Sequence, residues 1–131
     1  MAHPNTFKGN NLAERLARYA GRILKAAAEI PESREGRHVK DQLTRSGSAP
    51  GAHYADARSA QSSADFIHKM SLSAKEQRES VHWLRTCAFA DYLTRDVQRL
   101  VGEGEELSAI LATSLRTAQK NRDGSSASHK R

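Results

Sequence analysis

An all-α domain, folded as an antiparallel up-down-up-down four-helix bundle, is what this chain of 131 residues predicts. Three observations point there. Aromatic residues make up only 5% of the chain, while Ala, Leu, Arg and Glu are abundant, which favours helices over sheets by propensity. Apolar residues recur at three- and four-residue steps in four separate segments. The connections between those segments are short, which forces neighbouring helices to run antiparallel.

Residues 1–10, with Pro4, Asn5 and Gly9, are expected to form a flexible N-terminal arm ahead of a bundle spanning 11–120. Asn11 can cap the first helix, whose buried stripe is Leu12, Leu16, Tyr19, Ile23, Ala27 and Ile30. Arg15, Arg18, Arg22 and Lys25 share the opposite face about one turn apart, the clearest basic stripe in the chain. That stripe is either a solvated face, partly balanced by Glu14 and Glu29, or a set of phosphate contacts. Pro31 ends the helix, because the residue before a proline is pushed out of the α region.

The second helix carries Val39, Leu43, Ser46, Gly47, Pro50, Tyr54 and Ala57 on one face. The small residues in the middle of that face would let the second and third helices approach closely. Pro50 removes a backbone donor and crowds the carbonyl four residues back, so a kink is expected near it. The alternative is a break into two helices at Ser48.

Ser62 or Ser63 starts the third helix, with Asp65 in the first turn complementing the helix dipole. Its core stripe is Phe66, Met70, Ala74, Gln77, Val81, Leu84 and Ala88. Leu72, Glu76, Glu79 and Trp83 lie nearly opposite. Trp83 is either an anchor of an interface, where aromatic residues are enriched, or half covered by its own bundle. Arg45 is expected to reach Glu76 or Glu79.

Thr94 is the expected cap of the fourth helix, whose stripe includes Val97, Leu100, Val101, Leu107, Leu111 and Leu115. Gly102 and Gly104 interrupt it at roughly 1 kcal/mol each relative to alanine, so packing must need them or the helix must bend. Residues 121–131, rich in serine and basic side chains, are predicted to be a disordered basic tail.

Chemistry is sparse. Glu79-x-x-His82 matches half of a di-iron carboxylate site, but a second copy and further carboxylates are missing. No histidine or cysteine spacing suits zinc, and neither a nucleophile elbow nor a phosphate loop is present. No catalytic residue, metal or cofactor is assigned, and the chain is not expected to be an enzyme. The lone Cys87 fits a reducing, cytoplasmic setting, and no apolar run approaches a membrane span. Lys and Arg number 21 against 15 Asp and Glu, a formal charge of +6, which favours an anionic partner.

The run Leu43-Thr44-Arg45-Ser46-Gly47-Ser48, followed by Gly51-Ala52, Tyr54 and Ala57, then Ser63, Asp65-Phe66-Ile67 with Lys69, and Lys75-Glu76, Glu79 and Trp83-Leu84-Arg85, resembles the bacterial four-helix bundle protein family. That family includes proteins encoded in intervening sequences of 23S ribosomal RNA genes and is related in fold to the accessory variability determinant of diversity-generating retroelements. His53 stands where the family usually has asparagine, and Asp56 where it usually has glutamate. The resemblance implies a homopentamer without enzymatic activity. It also implies that RNA or DNA, and a reverse transcriptase where one is encoded nearby, are the partners to expect. The alternative is a structural or protein-binding scaffold whose charge serves solubility.

Overall fold

Four amphipathic segments close on one another as the apolar spacing dictates, in a computed structural model that describes residues 11–129, with side chains through Gly124. The helices are α1 (Asn11–Ala27), α2 (Arg34–Arg58), α3 (Ser63–Phe89) and α4 (Val97–His129). Each packs on the next and α4 returns to α1, so the helices form a closed square with α2 against α3 the most extensive interface. The expected N-terminal arm lies outside the described residues.

Local chemistry sets most boundaries. Ser33 and Ser62 cap α2 and α3, their hydroxyls accepting from the amides of Gly36 at 2.9 Å and Asp65 at 3.1 Å. Asp65 also takes Lys69 at 3.0 Å one turn on. α1 ends at Ala27 in a tightened turn, where Glu29 and Ile30 donate to carbonyls three residues back. Ile30 nevertheless stays in the core at 2% exposure.

α3 ends in a left-handed cap. Asp91 has φ 60, its amide donates to Ala88, and the Tyr92 amide donates to Cys87, the paired bonds of a Schellman motif. The sequence placed the start of α4 behind Thr94; the helix instead begins at Val97, behind Asp96 at φ 56, whose carbonyl accepts from Leu100 at 3.1 Å. Aspartate tolerates that left-handed geometry far better than a β-branched threonine does. Leu93, 6% exposed, closes the end of the core first. At its other end α4 remains helical to His129, through residues for which a disordered tail is expected.

α2 runs unbroken through Pro50, which excludes two helices divided at Ser48. Ser46 and Ser48 turn their hydroxyls back onto the carbonyls of Gln42 and Thr44 at 2.7 and 2.6 Å. Ser73 donates to the Pro50 carbonyl from α3 at 2.8 Å. One expectation is corrected here: the close approach at Gly47 is to α1, not α3. A Cβ there would sit 2.5 Å from Ile23 Cγ2, and one at Gly51 would touch Leu16.

Leu16, Tyr19, Ile23, Leu43, Met70, Leu84, Leu107 and Leu111 are all 1% exposed or less and fill the centre. A polar layer crosses it. The Tyr19 hydroxyl meets Ser80 Oγ at 2.8 Å, Ser80 donates to the Gln77 carbonyl at 2.7 Å, and Gln77 Nε2 donates to the Gly104 carbonyl at 3.2 Å. Because the Ser80 proton is committed to Gln77, Tyr19 is the donor in the first bond. Gly104 leaves the space this layer needs, since a Cβ there would lie 2.7 Å from the Tyr19 oxygen.

Candidate nucleic-acid interface

Helical phase put four cations on α1, and their neighbours divide them. Arg15 is tied into the bundle: its guanidinium spans to α4, donating to Glu103 at 2.8 and 3.3 Å and lying 3.1 Å from Glu106. The hydrogen bond to Glu103 raises the Arg15 pKa above its ordinary value. Arg18 folds back on Glu14, one turn away, at 2.8 Å. Both charges are thereby largely neutralised by partners.

Arg22 and Lys25 differ. Neither has a carboxylate partner within ion-pair distance among the described residues. Together with Arg95 and Arg99 they line a cleft of about 410 Å³ between α1 and the start of α4, whose apolar part is Ala26 and Leu100. Glu29 and Asp96 are the carboxylates on it. Four cations against two anions in a concave site concentrate positive potential where a phosphate could enter. The sequence reading missed Arg95 and Arg99. Their four-residue spacing was visible, but Arg95 lies in the connection rather than on the helix, so no helical face links it to Arg22.

The second face of α3 lies against α2. Arg45 reaches Glu76 at 2.6 Å and stands 3.9 Å from Glu79, and Glu76 is 9% exposed. The Trp83 ring is half-buried against the core and meets His38 of α2 edge-on at 5.8 Å and His82 at 4.9 Å. Leu72 is half-buried on the same helix. Among the motif residues, Phe66 and Tyr54 pack at the core edge, and the Arg58 guanidinium lies 5.9 Å above the Tyr54 ring. His53 is half-buried and Asp56 exposed.

No group of three or more His, Cys, Asp or Glu side chains among the described residues is placed to hold a metal. Cys87 is buried, and burial pushes its thiol pKa up to about 11, the opposite of an activated nucleophile. None of the described helices is long and apolar enough to cross a membrane.

These features define a small all-helical bundle with a basic cleft at one end. The chain belongs to the 23S rRNA-intervening sequence protein family, whose model matches residues 10–113. It is similar to a crystallographically determined protein of unknown function from the S23 ribosomal protein family of Bacteroides thetaiotaomicron, with 27% identity and a TM-score of 0.74 over 82% of this chain and 96% of that one. No curated protein matches.

Proposed function

We propose that this chain is a non-enzymatic accessory protein that binds the phosphate backbone of RNA or DNA without strong sequence preference. The observation that carries the proposal is the cleft in which Arg22 and Lys25 of α1 face Arg95 and Arg99. Arg15 and Arg18 lie farther along α1, each paired with a carboxylate, and carry little of this field. The family's description makes RNA the first polyanion to try. One subunit offers few phosphate contacts. Self-association, expected as a ring, would repeat the cleft, and linked sites raise apparent affinity by about 10²-fold or more where one strand spans them.

Binding to a labelled oligonucleotide, followed by anisotropy from about 50 mM salt upward, tests this. Affinity should fall steeply with salt. In Arg22→Glu/Arg99→Glu, the slope of log K against log salt should shrink by about 1.4 on a single strand, the loss expected for two phosphate contacts. If the wild type shows no salt-sensitive binding to any nucleic acid, the scaffold reading replaces this one. Leu24 and Phe89, 50% and 90% exposed, are then the first exposed apolar side chains to examine for a protein partner.

A further inference from the structure

Two observations meet at His82 of α3, away from the cleft between α1 and α4: a basic face toward α4 and a ring cluster toward α2. The first is electrostatic. Lys75, Arg78, His82 and Arg85 are all exposed, and their spacing of three, four and three residues keeps them on one helical face. Arg78, His82 and Arg85 border a groove of about 390 Å³ between α3 and α4, with Val81, Ala109 and Ala112 among its lining residues. Glu105 is the one carboxylate lining it and is engaged by Arg85 at 2.8 Å. Small residues on the α4 side leave the groove wide, and Lys75 and Arg78 have no carboxylate within ion-pair distance among the described residues.

The second observation is aromatic. His82, in the middle of the basic face, packs against Trp83, which in turn meets His38. Three rings therefore cluster at the surface in a chain with few aromatics, and the two histidines are exposed. A basic face that ends on exposed rings suits a polyanion whose bases are available for stacking, because every base offers a π face whatever its sequence.

We infer that the outer face of α3 is a second nucleic-acid contact, which takes unpaired bases at the His38–Trp83–His82 cluster while Arg78 and Arg85 hold the adjacent phosphates. This rests on the phosphate-binding reading above and adds a substrate class to it: single strands, since bases paired inside a duplex cannot reach the rings. A single stacked base is worth about fivefold in affinity at the low end.

The chain supplies its own reporter, because Trp83 is its only tryptophan. The full chain is titrated with a short end-labelled oligouridylate and with an RNA duplex of the same length, reading oligonucleotide anisotropy and tryptophan emission together. The expected result is emission quenching that tracks single-strand binding, with single strand preferred over duplex by about fivefold or more. His38→Ala/His82→Ala, at exposed positions, should lose that preference while its melting midpoint stays that of the wild type. Binding seen by anisotropy with unchanged emission, or equal affinity for strand and duplex, overturns the stacking inference and leaves the phosphate reading intact. An absence of binding in both titrations removes both.

Discussion

Two glycines two residues apart in α4 should respond to alanine in opposite directions. At Gly102 a Cβ meets nothing within 4 Å, whereas at Gly104 it would lie 2.7 Å from the Tyr19 hydroxyl oxygen and 2.9 Å from Val81 Cγ2. Gly102→Ala therefore gains the helix-propensity difference, about 1 kcal/mol. Gly104→Ala gains the same amount but must displace a ring that is 1% exposed. Overpacking of this kind costs about 1–3 kcal/mol, and separating the Tyr19 hydroxyl from Ser80 leaves a buried polar group unpaired at a further ~1–3 kcal/mol. A net loss of about 3 kcal/mol follows, placing the two variants about 4 kcal/mol apart and their melting midpoints ~10 °C or more apart. Urea and thermal unfolding followed by circular dichroism measure both. In a Tyr19→Phe background the Gly104→Ala cost should shrink, a coupling that a double-mutant cycle isolates. Equal stability of the two alanine variants would refute the account of Gly104.

Other substitutions probe the remaining contacts. Gly47→Leu should destabilise by more than about 1 kcal/mol, since even a Cβ at that position intrudes on Ile23; an unchanged urea midpoint would contradict the close approach of α1 and α2. Arg45→Met should cost about 1 kcal/mol and more than Glu76→Gln, because the carboxylate is the buried partner, its side chain 11% exposed against 51% for the Arg45 side chain. Alkali should also destabilise the fold. Burial pushes Tyr19 from 10.0 up to about 12 and Cys87 from 9.0 up to about 11. Both groups favour their neutral forms in the folded state, so their contribution is whole below pH 9 and is lost as pH rises through 12. Tyr19→Phe should flatten the upper part of that decline in chemical unfolding measured across pH. Finally, Arg15→Glu should lower stability more than affinity, and Arg22→Glu the reverse, since only Arg15 bridges α1 to α4; matched losses in melting and anisotropy would show that the two arginines do the same work.

Helical phase was enough to find the bundle, because an apolar stripe needs no knowledge of what covers it. Leu16, Tyr19 and Ile23, or Met70, Gln77 and Leu84, share a face at 100° per residue in any packing, and all are buried. Ser62 was legible as a cap for a similar reason: its partner, the Asp65 amide, lies within its own turn. Phase does not say which neighbour lies on which side. Gly47 was recognised as a close-approach residue, but its neighbour is Ile23 of α1, a choice set by how the four helices are arranged around the core. The start of α4 failed differently. Thr94 has better cap chemistry, but the chain first buries Leu93, and Asp96 takes the left-handed turn that threonine resists.

The same limit governs the candidate site. A stripe of like charges on one helix describes potential ligands only until the facing helix is known, and here α4 brings Glu103 and Glu106 to Arg15 while Arg95 and Arg99 gather beside Arg22 and Lys25. One end of the stripe thus fastens the bundle together, and the other shares a cleft with cations from a segment some seventy residues later in the chain. Holding like charges together costs folding free energy through repulsion, which screening by salt only partly relieves. Neutralising the cluster should therefore stabilise the free protein: Arg22→Gln/Arg99→Gln is expected to melt at or above the wild-type temperature at low salt while binding nucleic acid more weakly. A charge cluster whose removal helps the fold and harms the binding is kept for its ligand, and a double variant that lost stability instead would mark these arginines as structural.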